Sequence, residues 1–560
     1  MWADVDQVTY QRFLDDATVF WRDQIPVLDQ HRCVLVDGCH PDLRVLLRNL
    51  TVANAIRRLT GCRMVVLVGP GDDWPALWGR TYDPDRVAEL ARAYGADEVV
   101  DLEALRERRL LEQAATRRGA PVAGCPDDLL PQVDATFRRV HRLARVTAAD
   151  REKPRYAHAA LRAGALAELA ADVITATAPL AVVLAEVDDD PWAMLVRGAR
   201  LAGVPVVWVR PTGGVQAYAL FPEHDHGGPT FPATLTARVG EFFAERVWAR
   251  RDELRPAADR MFDRARRNWG RPAGWRSGPG AWLELTNPVQ RAQLRQHVAA
   301  RLGLDPRRPT VVLFGQRLTD PLPGHQAAFV DVSQWLERSV AFARTSLAVN
   351  WLVLSHPDGD DPAGAFAALA ASCAGVRHIA FRSAAELTRN ALFSLVDLGV
   401  TVRGAVASEL PAYGIPVLQA GWSAWSGCGL TTVAADEDSY WRELKKAVAG
   451  LPAGRPVLAA DQVERARLWL WLQRCGADIS SGLIPPWDLW PAEYLVRAVD
   501  AQLRGVDPQD DPLFAAVARM WQQKLPLLTR TALPPISAAP VRPHVPHTRT
   551  GREQAAVIGE

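Results

Sequence analysis

The sequence predicts an α/β protein built from two successive doubly wound, Rossmann-like domains that face a central cleft. Three observations predict it. Short apolar runs alternate with amphipathic helical stretches twice over along the 560 residues, a pattern of parallel strands joined by crossover helices. Between the two series lies NWGRPAGWRSGPG, with the Gly/Pro density of a linker. Hydrophobic residues make up 48% and charged residues 23%, enough core for several domains of roughly 100–200 residues each.

In the first series, 33–36 (CVLV) reads as a strand and DGCHPD as the turn before a helix at 43–59. Strands at 63–68 and 98–100 follow, then helical stretches at 102–118, 129–145 and 156–175. Residues 180–185, 191–202 and 205–209 complete a β-α-β unit. The segment 211–232 is rich in Gly, Pro and His and reads as a long loop. The second series places strands at 310–314, 350–354, 376–380, 393–398 and 416–419, with helices at 332–345, 363–373, 384–390 and 405–413. This divides the chain into an acceptor-side N-terminal domain at 1–305 and a nucleotide-binding domain at 306–485. Helices at 486–533 are expected to pack back on the N-terminal domain, and a Pro-rich tail at 534–560 reads as disordered.

Lys+Arg at 65 nearly cancels Asp+Glu at 64, which argues against a dedicated nucleic-acid binder. Of the 65 basic residues 61 are arginine, the usage of a GC-rich bacterial genome; the lysines are Lys153, Lys445, Lys446 and Lys524. Seven scattered cysteines without a C-x-x-C pair suit a reducing compartment and give no zinc site. With no signal peptide and no apolar run of about 18 residues, the expectation is a cytoplasmic protein, compatible with a peripheral position at the inner membrane.

The most informative stretch is 401–421, TVRGAVASELPAYGIPVLQAG. Thr401, Val402, Arg403 and Gly404 form the turn after a strand, and the next helix starts near Ala405. Amides at a helix start, with the Thr401 and Ser408 hydroxyls, suit a phosphate anion. Glu409, one turn in, suits the two hydroxyls of a ribose; an ordinary capped helix would explain the same residues. On this reading Glu409→Ala abolishes nucleotide binding and leaves unliganded stability nearly unchanged. Ser355 and His356 end the strand NWLVL, where the imidazole can donate to a phosphate or carry a proton. Gly315 and Gln316 follow the strand TVVLF, with Asp320 as a loop anchor. Trp422 and Trp425 are the candidates for stacking on a sugar.

The order of these pieces resembles the capsule polysaccharide biosynthesis family, which includes the Kdo transferases of capsule export. Gln316 and Asp320 come first, then Gln334-Trp335-Leu336, then His356-Pro357. Thr401 to Gly404, Ser408-Glu409, Gly414-Ile415-Pro416-Val417 and Gly421 complete it. The match is specific over 310–440 and vague before it. A lysine usual beside the His-Pro pair is absent, and the N-terminal half is longer and rich in Trp and Arg. The resemblance implies a GT-B glycosyltransferase whose C-terminal domain holds a nucleotide-activated sugar and whose N-terminal domain holds the acceptor. His356 and residues 401–404 would contact the donor's phosphate and sugar, and Ser408 and Glu409 its phosphate and ribose.

Candidates in the first half lie on loops after strands. Asp37 and His40 are possible bases for an acceptor hydroxyl, while Asp42 reads as a helix cap. Asp188, within Glu186-Val-Asp-Asp-Asp190, has metal-ligand spacing, but Asp190-Pro191 also suits a helix start, and no metal is expected. Arg210, which follows the strand PVVWV, and Thr212, Gly213, Gly214, Glu223 and His224 of the 211–232 region are read as an acceptor-side loop or lid.

The expected activity is therefore metal-independent transfer of a sugar from a nucleotide-sugar co-substrate to a glycan, lipid-linked or small-molecule acceptor, with no separate cofactor. A nucleotide-sugar 2-epimerase-like enzyme, a catalytically silent scaffold, and a CDP-glycerol-type transferase are the rivals. Donor, acceptor and anomeric outcome are left open.

Overall fold

The computed structural model describes residues 5–25, 28–69, 82–116, 125–211, 213–227, 230–266, 287–320, 322, 327–357, 361–454, 457–484 and 492–530. The Gly/Pro linker around 268–280 and the tail from 534 lie outside the described residues. The chain forms two compact units. One holds the described residues up to Leu235 together with those from Leu472 onward, and the other holds Thr236 to Trp471. The boundary expected near 305 thus lies inside the second unit, because the helices at 236–266 and 460–471 pack on each other there.

The first unit carries a sheet of six strands: β1 (Asp29–Asp37), β2 (Cys62–Val68), β3 (Glu98–Asp101), β4 (Ala181–Leu184), β5 (Val206–Pro211) and β6 (Val215–Leu220). Their order is β3-β2-β1-β4-β5-β6, all parallel except the β5/β6 pair. Residues 33–37 of β1 and all of β4 are buried, as expected of parallel strands covered on both faces. The helix Leu43–Thr60 is capped by Asp42, which accepts from the Arg44 N–H, and is ended by Gly61 at φ 68°. It is buried on nearly every face because the helix Pro512–Gln523 packs over it. The helix Ala492–Leu503 packs likewise on the N-terminal helix Gln7–Gln24, fastened by Arg12–Asp500 at 2.6 Å and Arg504–Asp16 at 2.7 Å.

The second unit repeats the design with β7 (Thr310–Phe314), β8 (Asn350–Ser355), β9 (Ile379–Ser383), β10 (Leu398–Thr401), β11 (Val417–Gln419) and β12 (Thr432–Val433). The order is β12-β11-β10-β7-β8-β9, with every pair parallel. Both units are doubly wound α/β sheets, the class the sequence predicts.

Three local expectations are corrected. Within the segment read as a 211–232 loop lies β6, which pairs antiparallel with β5 over six residues, Val206↔Leu220 to Pro211↔Val215. Gly213-Gly214 make a hairpin there, not an open loop. The strand expected at 393–398 is the end of a helix, Arg389–Leu395, capped by Thr388, and β10 begins only at Leu398. A short, fully apolar run fits either element, and the cap decides for the helix. Third, the helix expected at 405–413 is α-helical only over Val406–Glu409 and tightens to 3₁₀ geometry over Leu410–Tyr413. Pro411 has no N–H to continue the α ladder, and Gly414 at φ 71° ends the segment.

Glycine packing supplies a test. A Cβ on Gly214 would lie 2.4 Å from the Ile479 carbonyl oxygen, whereas one on Gly164, inside a helix, would meet nothing within 4 Å. Gly214→Ala should lower stability by about 1–3 kcal/mol or more, since backbone must move. Gly164→Ala should raise it by about 0.5–1 kcal/mol. Thermal melts of the two variants check both signs.

Candidate functional site

In a doubly wound sheet, ligands bind outside the carboxyl ends of the strands, where the winding reverses. In the second unit that point lies between β7 and β10, because β8 and β9 extend to one side and β11 and β12 to the other.

Two hydrogen bonds close this point. Thr401 Oγ1, fully buried at the end of β10, donates to the Phe314 carbonyl at 3.1 Å. The Gln316 side chain, just past β7, accepts from the Arg403 N–H through Oε1 at 2.8 Å. Thr401 Oγ1 also accepts from the Gly404 N–H at 3.3 Å, and a Cβ on Gly404 would press to 2.9 Å from that oxygen. A side chain at 404 would therefore displace the hydroxyl that holds the turn. Among the described residues the Gln316 amide Nε2 has no acceptor, and Gln316 is half-buried, so its N–H groups remain for a ligand. Arg403 and Gly404 are half-buried and Ala405 is exposed, while Val402 is packed away.

The Ser408 hydroxyl is buried and donates to the Ala405 carbonyl at 2.8 Å. Both hydroxyls expected to hold phosphate, Thr401 and Ser408, are thus used by the turn itself. One α-helical turn also sums few peptide dipoles. With the Arg403 and Gly404 N–H groups spent inside the turn, what it leaves for an anion is the Ala405 amide.

Ser355 and His356 end β8, the strand beside β7, and both are half-buried. Gly315 lies opposite them, with its N–H on the Leu354 carbonyl at 2.9 Å; a Cβ would come within 2.3 Å of that oxygen. Asp320 is half-buried and closes its loop by an N–H bond to the Arg317 carbonyl at 3.0 Å. Trp422 and Trp425 are buried, Trp425 against Trp469 at 6.4 Å between ring centroids, so both belong to the core and not to a sugar platform.

Glu409 has a partner that the sequence did not suggest. Its Oε2 lies 3.6 Å from Nε of Arg389, whose side chain is 1% exposed against 13% for Glu409. The guanidinium lies over the rings of Phe393 (5.0 Å) and Tyr413 (5.1 Å). Removing Glu409 would take from this buried cation the carboxylate it faces, so Glu409→Ala is expected to lower stability. The expectation that Glu409→Ala spares stability is therefore corrected. A cavity of about 350 Å³ adjoins these rings, lined also by Phe262, Arg291 and Arg467. Its guanidinium groups are engaged, Arg291 with the Val396 carbonyl and Arg467 with Ala412 and Asp259.

The first unit reverses between β1 and β4. Asp37, at the end of β1, is fully buried and accepts from the Cys39 N–H at 2.7 Å and the Ala185 N–H at 3.2 Å. Burial raises its pKa. It clasps the strand ends. His40 is buried, and its Nδ1 accepts from the Asp42 N–H at 3.0 Å. Asp188 is buried, with its carbonyl held by Gln132, and Asp189 pairs with Arg139. Arg210 lies over Trp208 at 5.2 Å. Gly214 donates its N–H to Asp478 at 3.1 Å and packs against Ile479, so the Gly-Gly pair serves a backbone contact rather than a ligand. Thr212 lies outside the described residues. Because β6 runs antiparallel, it carries Glu223 and His224 to the opposite end of the strands from Arg210, beside the start of β5, where Glu223 meets Lys524 at 3.7 Å. The placement of these two on the acceptor side is corrected by strand direction.

Glu186 is the carboxyl at this reversal that the sequence noted and did not select. It follows β4, is half-buried, and makes no hydrogen bond or ion pair among the described residues. Desolvation pushes its pKa up to about 7, with Asp189 and Asp188 adding and Arg139 and Arg210 opposing. Asp190 is likewise raised to about 7, first by burial and then by Asp189. Carboxyls poised near neutrality in a crevice are suited to proton transfer.

No family model matches the chain, and no curated protein sequence matches it. Among solved structures it is similar to the UDP-GlcNAc 2-epimerase of Neisseria meningitidis bound to UDP-GlcNAc. That match has 9% identity and a TM-score of 0.28, over 79% of this chain and 99% of that one. It is similar also to KpsC, the β-Kdo 2,7-transferase of Thermosulfurimonas dismutans, at 13% identity and TM-score 0.32 over 59% and 88%. A third is the wall teichoic acid polymerase TagF soaked with CDPG, at 9% identity and TM-score 0.24 over 89% and 95%. Superpositions this loose leave the fold to be read from strand order and the chemistry from the residues.

The raised pKa of Glu186 has a stability consequence. The folded state holds the proton to about pH 7, whereas the unfolded chain releases it near the ordinary glutamate value of about 4.3. Stability is therefore lost as pH rises through this window. Glu186→Gln should melt several degrees above the parent at pH 8, with the difference vanishing toward pH 4. Melts across that range check it.

Proposed function

We propose that the chain is a GT-B-type glycosyltransferase that moves a sugar from a nucleotide-activated donor to a hydroxyl of a glycan, lipid-linked or small-molecule acceptor. The observation that carries this reading is the Gln316 bridge. At the point of the second sheet where ligands enter, one side chain fixes the Arg403 amide and keeps its own amide N–H groups available. The order of motifs supports the same reading: Gln316, His356-Pro357, Thr401 to Gly404, and Ser408-Glu409 all lie on the carboxyl side of β7, β8 and β10.

In this reading the acceptor oxygen bonds to the anomeric carbon as the bond from that carbon to the donor phosphate breaks. The electron pair leaves on the phosphate. The Ala405 amide, the Gln316 amide, Arg403 and His356 stabilise that charge, and no step is assigned to a metal. A general base takes the hydroxyl proton; taken by itself, the first unit offers Glu186 for such work rather than Asp37, whose oxygens are occupied. Ribose hydroxyls fall to Glu409. Among the described residues no helix is long and apolar enough to cross a membrane, and the proposal places the enzyme in the cytoplasm.

Thermal-shift titration with CMP, CDP, UDP, GDP and dTDP tests the reading, because a ligand that binds only the folded state raises Tm. One nucleotide should raise Tm strongly. Gln316→Glu keeps an acceptor for the Arg403 N–H but removes the donors and adds negative charge. It should abolish the response while leaving unliganded Tm within a few degrees. No response to any nucleotide sinks the reading, and conversion of a nucleotide sugar incubated alone into its epimer overturns transfer.

A further inference from the structure

We propose that Ser423 is a positioning residue of the nucleotide site: its hydroxyl fixes the peptide plane after Arg403, and through it the direction of the Ala405 amide that a phosphate would meet. The inference rests on the nucleotide-binding reading above.

A turn that presents one backbone N–H binds an anion well only if the peptide carrying that N–H keeps its direction. Three peptide planes lead up to the Ala405 amide. The first is held by Gln316, which accepts from the Arg403 N–H at 2.8 Å. The last is held by the Ala407 N–H, which donates to the Gly404 carbonyl at 3.0 Å. The plane between them joins Arg403 to a glycine, whose backbone freedom lets a peptide turn over at little cost. Its N–H reaches Thr401 Oγ1 only by a long bond of 3.3 Å. Its carbonyl accepts from Ser423 Oγ at 3.1 Å. Ser423 lies past β11, the strand beside β10, so the loop after one strand holds the loop after its neighbour. The direction of the hydroxyl proton is also set. Gln419, fully buried at the end of β11, donates through Nε2 to the Gly421 carbonyl and to Ser423 Oγ, both at 3.4 Å. A carbonyl can only accept, which fixes Nε2 as the donor end, and Thr431 Oγ1 donates to Oε1 at 2.6 Å. With its oxygen accepting from Gln419, Ser423 gives its own proton to Arg403. The loop that carries it is stiff: Trp422 and Trp425 are buried, and the Ser423 N–H donates to Ser426 Oγ at 2.8 Å. Gly421 lets this loop come close, since a Cβ there would press to 3.0 Å from Val402 Cγ1. Without the hydroxyl, the Arg403 carbonyl loses this donor, and the middle plane keeps only the long bond to Thr401.

The test separates phosphate binding from stability. Calorimetric titration with cytidine, CMP and CDP, and with uridine, UMP and UDP, is run on the parent, Ser423→Ala, Ser423→Cys and Ser423→Thr, each also melted without ligand. Ser423→Ala should weaken the nucleotides about tenfold, the worth of one hydrogen bond to a charged group, and the nucleoside less than about threefold. Ser423→Thr keeps the hydroxyl and should hold the nucleotide-to-nucleoside ratio within about threefold of the parent. Ser423→Cys, with a weaker donor, should fall between the two. Should Ser423→Ala not fold, Ser423→Cys carries the comparison, and its nucleotide loss should exceed its nucleoside loss by about threefold or more. Equal weakening of nucleoside and nucleotides, whatever happens to Tm, marks a merely structural role and overturns the proposal. So do unchanged nucleotide affinities in folded Ser423→Ala, or a folded Ser423→Thr that binds nucleotides as poorly as Ser423→Ala. Each of these leaves nucleotide binding standing. Failure of the parent to bind either series overturns the nucleotide reading, and this inference with it.

Discussion

Each sheet in this protein depends on one side chain that ties together the two strand ends between which the winding reverses. In the second unit Gln316, past β7, accepts the amide of Arg403, past β10. In the first, Asp37, closing β1, accepts the amide of Ala185, past β4. Both sheets have the same strand order, so the two clasps occupy corresponding places. Parallel strands that end side by side leave amides beyond the ladder with no partner, and an orphaned amide is costly once buried. A side-chain oxygen from the neighbouring strand end meets that need and fixes the loop that follows. The difference lies in what is left over. The carboxylate is consumed by its clasp, whereas the amide of Gln316 keeps a donor in hand.

Charge is handled with the same economy. The acid groups nearest the two reversals fall into neutralised pairs and unneutralised carboxyls. Glu409 with Arg389 and Asp189 with Arg139 are pairs. Glu186 and Asp190 are not, and desolvation holds their protons to about neutrality. A paired carboxylate is a fixed acceptor; an unpaired one exchanges protons. The two kinds suit different work, recognition in the second unit and acid–base chemistry in the first.

Much of this was legible in the sequence. The apolar runs TVVLF, NWLVL and CVLV, short and followed by turn residues, read as strands and are strands. The turn at 401–404 was visible through Thr401 and Gly404, and Gln316 through its place after TVVLF. What stayed hidden depended on contacts distant in sequence. Arg389 reads as an ordinary surface arginine until the fold sets it on Phe393 and Tyr413. Gly213-Gly214 read as a loop because Ile479, against which they pack, lies more than 260 residues away. The alternation in VQAYAL was a strand signal outweighed by the glycines before it. Glu223 and His224 were misplaced because strand direction, which decides the end of the strands at which a loop emerges, is not written in local composition.

The return of the chain to its first unit sets an order of assembly. The helix Pro512–Gln523 covers the helix Leu43–Thr60, and 478–479 extend the sheet through an antiparallel bridge between Val215 and Ile479. A ribosome delivers these closing pieces last. The middle segment, Thr236 to Trp471, is contiguous and emerges whole before them. At about 5–20 residues per second, the nascent N-terminal sheet waits on the order of ten seconds or more with an apolar helix face uncovered. Translation therefore finishes the second unit ahead of the first, and chains cut short before the closing helices are the ones most open to aggregation and to chaperone capture.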